Sequence, residues 1–274
     1  MTMSANRKVL FYDDFSGDAI DLTKWNIEED TESEKGRGKR YTCRPENICV
    51  EDGMLKLTAR RENFKGGQYT SGSISTKDKF SFRYGRLEMR AKLPYGEGVW
   101  PAFWTLGDDY CTRSDEDGWP YAGEIDVMEF IGVGSEEQRN DVHGTQSYGC
   151  EVYRDGRIGN NRSTCNLHWG KDRAHHESCG ASYCLPSGIF ADDFHVFAVE
   201  WTEEKIVWFV DDTQIHEMDI CREEMVDAFH KPHWIIMNLG IVEGWGPEVK
   251  DITPFPQTYY VDYVKVLAPE EVSE

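Results

Sequence analysis

The run Gly123-Glu124-Ile125-Asp126-Val127-Met128-Glu129-Phe130 sets three carboxylates among bulky apolar residues. Acids so arranged can sit on a solvated face, hold a cation, or move protons and form bonds. The apolar interleaving predicts a strand, on which Glu124 and Asp126 face one way and Glu129 the other. A β-bulge at Val127-Met128 returns Glu129 to the first face and leaves Ile125, with Val127 or Met128, for the core. Glu124 and Glu129 are then roughly four strand steps apart, ~13 Å between backbones. Side chains leaning inward close the carboxyls to about 5–5.5 Å, the spacing of a glycosidic cleavage that retains configuration; an inverting pair leaves more room, for a water. Three acids this close cannot all ionise cheaply, so at least one proton is held more tightly than usual. A general acid at neutral pH needs that shift.

The competing uses are weaker. Like charges lined up on one strand destabilise it, which argues against a merely solvated face. Calcium or magnesium would accept carboxylates, but residues on one straight strand converge poorly on a single ion.

The elements that must hold this strand are themselves strands. Leu55–Arg60 and Arg86–Leu93 alternate with period two, the mark of sheets with one buried face. Lys205–Val210 and Thr213–His216 flank Asp211-Asp212 as a hairpin. His195–Trp201, Trp234–Leu239 and Tyr259–Leu267 read as further strands. One helix is expected near Arg222–Phe229, with Met225, Val226 and Phe229 on one face. Many short strands and almost no helix predict an all-β fold, a two-sheet antiparallel β-sandwich of jelly-roll type. We expect one domain over 9–268, tails at 1–8 and 269–274, and a surface insertion at 132–163, rich in Gly, Arg, Asn and Glu.

Composition narrows the partners. The 274 residues carry a formal net charge of −20 and 13% aromatic side chains. That charge repels phosphate backbones, so no nucleic acid is expected, and it disfavours anionic membranes. Neutral substrates suit it, and the nine tryptophans suit the apolar faces of sugar rings. No apolar run reaches the length of a membrane span. Residues 1–8 lack the apolar core of a signal peptide, so either a signal has been removed or the protein is cytosolic; a secreted monomer is the expectation. The eight cysteines favour disulfides and export, and none forms the close Cys-x-x-Cys pair of a zinc site. Cys43–Cys49 and a bond involving Cys179 or Cys184 are the expected pairings, with buried reduced thiols as the alternative. Asn161-Arg162-Ser163 is an acceptor pattern for glycosylation in a eukaryotic secretory host.

The carboxylate segment resembles the signature of glycoside hydrolase family 16, in the bulged form found in laminarinases, agarases and carrageenases. The resemblance runs from about Phe11 to Leu267. Tyr84–Arg90, Trp100-Pro101-Ala102-Phe103-Trp104, Trp119-Pro120, Phe190–Trp201 and Phe255–Val264 carry it. It implies a concanavalin A-like sandwich with a concave substrate cleft, and retaining endo-hydrolysis of β-1,3-glucan, with mixed β-1,3-1,4-glucan as a further expected substrate. A galactan hydrolase of the agar type and a transglycosylase are the enzymatic alternatives. A β-glucan-recognition lectin is the non-enzymatic one, and lectin relatives typically lose the carboxylates that this chain keeps.

By the same resemblance Glu124 is the nucleophile, Glu129 the acid/base, and Asp126 the group that holds and tunes Glu124. Trp104 forms part of the floor beneath the sugar, with Asn47, Trp100, Trp119 and Trp245 as further contacts. For each tryptophan, core packing is the competing role. His168 matches the cleft histidine through the continuous stretch into Gly180–Gly188, although spacing from Glu129 favours His143. Ser73 stands where laminarinases commonly carry Arg, which bears on linkage preference. Catalysis needs no cofactor. A structural calcium is implied on the convex side, at Asp14, the backbone oxygen of Gly53, and Asp262.

Overall fold

The structure, a computed structural model, describes residues 7–30, 39–110, 118–130, 132, 152–153, 159–242, 249, 251 and 253–270. In chain order the strands are β1 (Val9–Asp13), β2 (Asn26–Ile27), β3 (Lys39–Tyr41), β4 (Ile48–Glu51), β5 (Met54–Phe64), β6 (Gly67–Ser71) and β7 (Ser73–Ser75). There follow β8 (Ser81–Phe82), β9 (Gly85–Lys92), β10 (Val99–Gly107), β11 (Glu124–Glu129), β12 (Val152–Tyr153), β13 (Gly159–Asn160) and β14 (Arg162–Trp169). The last are β15 (Glu177–Cys184), β16 (His195–Trp201), β17 (Lys205–Val210), β18 (Thr213–Asp219), β19 (His233–Ile241) and β20 (Gln257–Leu267).

Two sheets form the expected sandwich. The larger runs β18-β17-β16-β9-β20-β5-β6-β3, with β1 beside β20 and β4 beside β5. The smaller runs β15-β14-β11-β10-β19-β7-β2, with β8 beside β19. Alternation decides what each strand buries. Leu87, Met89 and Ala91 of β9 and Tyr259, Val261, Val264 and Val266 of β20 face Phe103 of β10 and Ile235, Met237 and Leu239 of β19 in one core. A polar bond also crosses the layers: Trp208 of β17 donates its indole N–H to the backbone oxygen of Asp126, 2.9 Å away. The carboxylate strand is thereby tied to the opposite sheet.

Two expectations need correction. The helix α1 spans Glu223–Phe229 with Arg222 at its N-cap, and Val226 is 42% exposed while Met225 and Phe229 are buried. Met225, Ala228 and Phe229 make the i, i+3, i+4 stripe, and Val226 lies about 100° off it. Cys43 and Cys49 are both free thiols, because they lie in a short loop and on a separate strand rather than stapling one turn. The bond expected at Cys179 or Cys184 is found at Cys184, which is disulfide-bonded, while Cys179 is free. Asn161 is 3% exposed and donates its amide to Leu185 O at 2.6 Å, so no glycan can attach to this folded chain. The insertion expected at 132–163 falls mostly outside the described residues.

Candidate active site

Gly123 starts the strand. Its φ is +76°, and a Cβ there would lie 2.4 Å from Ala228 O, so only glycine lets the chain pass under α1 and deliver Glu124. Against β10, Leu106 faces Glu124, Thr105 faces Ile125, Trp104 faces Asp126, Phe103 faces Met128 and Ala102 faces Glu129. Val127 is the extra residue, and the register against β14 breaks over the same span. That is the bulge the acid spacing demands. It leaves Ile125, Val127 and Met128 all in the core, and brings Glu129 within electrostatic reach of Glu124 and Asp126.

Each glutamate is held by a different indole. Trp119 Nε1 donates to Glu124 Oε2 at 2.8 Å, and Trp100 Nε1 donates to Glu129 Oε1 at 3.0 Å. Asp126 lies 3.2 Å from His168 Nε2, which is 3.9 Å from Glu124 Oε1. Burial pushes the Glu124 carboxyl well above the usual range, and the charges of Asp126 and Glu129 add to it. Burial likewise raises Asp126, with the Glu129 charge next. Among the described residues, His168 is the one basic side chain within 4 Å of the Glu124 and Asp126 carboxyls. A proton shared by this pair is the physical consequence: one carboxyl stays neutral so that the other can be an anion.

The ligand atoms of Glu124, Asp126 and His168 lie within 4.8 Å of one another, a grouping that could hold a metal ion. The hydrogen bonds speak against that use. Asn166 Oδ1 accepts from Leu167 N at 3.1 Å, so its Nδ2 is the atom 3.0 Å from His168 Nε2. An amide nitrogen only donates. The imidazole lone pair that a metal would need is therefore engaged.

The floor is aromatic. Trp104, Tyr110 and Trp119 pack against Leu106, Trp234 and Ile236 in a cluster of their own, and Trp104 Nε1 donates to Asn238 Oδ1 at 2.7 Å. Such a surface suits the apolar face of a pyranose ring above acids that attack it.

The structure therefore assembles Glu124, Asp126, Glu129, Trp100, Trp104, Trp119 and His168 on one face. Asn47 departs from expectation. It is fully buried, its oxygen accepts from Thr42 Oγ1 and Arg44, and its nitrogen donates to Thr58 O and Thr70 Oγ1. A saturated, enclosed amide braces β4, β5 and β6 and has nothing left for sugar. Trp245 and His143 lie outside the described residues. Asn238, Trp234 and His176 were not foreseen. Asn238 left a trace, as a polar side chain inside the apolar run Trp234–Ile241; His176 left none.

The calcium positions lie on the other sheet. Asp14 follows β1 and Asp262 lies on β20, and both charges reach Tyr12. Gly53 turns between β4 and β5 with φ +69°. Two carboxylates and a carbonyl fit calcium in kind. One Asp262 oxygen is already 2.7 Å from Arg90 Nη1, which an ion would have to share or displace.

Comparison with known proteins agrees with this geometry. The family profile described as glycosyl hydrolases family 16 matches residues 36–265. A β-glucanase of Rhodothermus marinus is 34% identical over 92% of this chain and 82% of its own length. Glucan endo-1,3-beta-glucosidase A1 of Niallia circulans is 32% identical over 96% of this chain, which spans only 38% of that protein. The X-ray structure of the laminarinase from Rhodothermus marinus superposes with a TM-score of 0.75 at 29% identity, covering 97% of this chain and 99% of that one.

Proposed function

The chain belongs to glycosyl hydrolases family 16, and on that premise we propose that it is a retaining endo-glycosidase acting on β-1,3-glucan, with mixed β-1,3-1,4-glucan as a further substrate. One observation carries the reading: the single-residue bulge at Val127 gathers Glu124, Asp126 and Glu129 on the cleft face, each glutamate held by its own indole N–H. The names of the β-1,3-glucanase relatives support the substrate.

The chemistry follows from the contacts. Asp126 carries the proton of the coupled pair, which leaves Glu124 an anion steadied by Trp119. Glu124 attacks the anomeric carbon while Glu129 gives its proton to the departing glycosidic oxygen. The bond to the leaving sugar breaks as the ester to Glu124 forms. Glu129, now a carboxylate, takes a proton from water, whose oxygen displaces Glu124 and regenerates the enzyme. Two inversions give net retention.

Ser73 lies opposite Asn238, the residue that holds the Trp104 indole. The position where laminarinases commonly carry Arg thus borders the floor, and this keeps a galactan of the agar type as the second reading. Laminarin, lichenan, agarose and a carrageenan offered in parallel, with product sizing, test both. Oligosaccharides released from laminarin are expected; cleavage of agarose alone would replace the glucan reading. We further take the protein to be secreted, on its cysteine content and the bonded Cys184. A calcium ion at Asp14, Gly53 and Asp262 would tie β1, β20 and the β4–β5 turn. Calcium should then raise the melting temperature of wild type and not of Asp262→Ala.

A further inference from the structure

The turn between β14 and β15 aims one side chain at the acid cluster from outside. Gly170 has φ +133°, and a Cβ there would meet His175 O at 2.1 Å, so the turn closes tightly on itself. Asp172 caps it, accepting from Ala174 N at 2.9 Å, His175 N at 3.0 Å and His175 Nδ1 at 2.7 Å. The next residue, His176, is thereby laid over Trp119, ring centroids 4.5 Å apart, and stacked on His168 at 5.0 Å and 21°. Its Nε2 lies 2.7 Å from His168 Nδ1.

One tautomer of His168 satisfies its contacts with Asn166 and His176 together. Asn166 Nδ2 donates to His168 Nε2, so Nε2 offers a lone pair and neutral His168 carries its proton on Nδ1. His176 Nε2 is the acceptor for that Nδ1–H. Burial holds His176 below its ordinary value, which keeps that acceptor available.

We propose that His176 is a positioning residue of the reaction: by accepting the Nδ1–H of His168 it leaves Nε2, 3.2 Å from Asp126, without a proton to donate, so that Asp126 keeps its own proton and Glu124 is the carboxylate left to attack. This rests on the glycosidase reading above. Without His176, His168 is free to carry its proton on Nε2 and donate it to Asp126. Asp126 then ionises first, its charge faces Glu124, and Glu124 ionises second. The groups facing the histidine pair are Glu124, Asp126 and Glu129 from β11 and Asn166 from β14. In the turn are the Asp172–His175 pair and Arg173, whose guanidinium lies 5.3 Å over the Trp119 ring.

His176 is only half-buried, so substitution should spare the fold, and two variants separate its roles. His176→Phe keeps a ring on Trp119 and loses the acceptor. His176→Gln loses the ring and keeps an acceptor oxygen. Laminarin hydrolysis gives kcat, KM and the pH profile. Nitrogen-15 shifts of the His168 ring in substrate-free protein report the tautomer directly. In His176→Phe, kcat should fall roughly tenfold with KM little changed. The acidic limb of kcat/KM should move to higher pH, and the His168 shifts should leave the Nδ1–H pattern. His176→Gln should restore most of each. Wild-type tautomer and pH profile in His176→Phe would overturn the proposal, as would a loss confined to KM or matched by a lower melting temperature. Failure of the wild type to cut any glucan would defeat the functional reading instead, and the shifts of the two variants would still decide this one.

Discussion

Two buried carboxylate sites, one on each sheet, show opposite uses of the same group. Glu88 on β9 is 4% exposed, yet Arg86 Nε stands 2.6 Å away, Lys265 Nζ 2.7 Å, and Tyr263 donates to it at 3.0 Å. Burial pushes the Glu88 proton affinity up, but the bonds from Lys265 and Arg86 outweigh it and hold the carboxyl below the ordinary range. Asp126 is just as enclosed and Glu124 nearly so, and the one basic group within reach of them among the described residues is a histidine. Burial therefore wins, and both are raised. The difference teaches that burial alone does not make a reactive acid; the withheld cation does. Glu88 fastens β9 to β20, whereas the acids of β11 cost stability and supply chemistry.

Substitutions should separate the sites. Glu124→Gln or Glu129→Gln is expected to lower kcat by at least ~10⁴-fold, about 5 kcal/mol of barrier, with the fold intact by circular dichroism. Near-normal turnover in either would break the assignment. Arg86→Met should cost about 3 kcal/mol of stability in denaturant titration, by leaving buried Glu88 with Lys265 as its one cation beside the Tyr263 hydroxyl. Its kcat should be unchanged, and a loss of chemistry without a loss of stability would erase the contrast. Asp126→Asn should lower kcat by about 10²-fold, near 2.7 kcal/mol, since its carboxyl tunes Glu124 and forms no bond to sugar. Equal losses in all three acids would show the roles to be misassigned.

The smallest effect carries the sharpest sign. Glu88 is depressed in the fold, so its stabilisation is complete above the ordinary carboxylate pKa and fades as pH falls through the depressed value. Glu124 and Asp126 are raised, so their penalty is absent below the ordinary carboxylate range and grows as pH climbs toward the raised values. Asp126→Asn should therefore melt higher than wild type at pH 7, roughly 2–4 °C for each kcal/mol of penalty removed, and the gain should vanish near pH 4. A variant that melts lower at pH 7 would place Asp126 with Glu88, as a structural acid.

The sequence exposed the acid strand because three carboxylates beside Ile125, Val127 and Met128 admit few explanations, and a bulge is the only strand geometry that unites them. Period-two alternation exposed β5, β9 and β20 for the same reason: one face of each is buried. Contacts between distant polar residues stayed hidden. Asn47 reads like a surface amide until Thr42, Arg44, Thr58 and Thr70 close around it. Cys43 and Cys49 are near in number yet stay reduced, since spacing says nothing of where thiols point. His176 depends on a turn fixed by Gly170 and Asp172, and no pattern in the chain announces its stack on Trp119.

The central claim is that Glu124 is the nucleophile of a retaining reaction. It is tested most directly by offering Glu124→Ala an aryl β-laminaribioside with sodium azide, and reading the anomeric configuration of the sugar azide by proton NMR. With the nucleophile gone, azide should enter the space Glu124 vacates and attack from that side, giving the α-azide in a single inversion. A β-azide would mean that a carboxylate other than Glu124 still forms the glycosyl-enzyme, and would contradict the account.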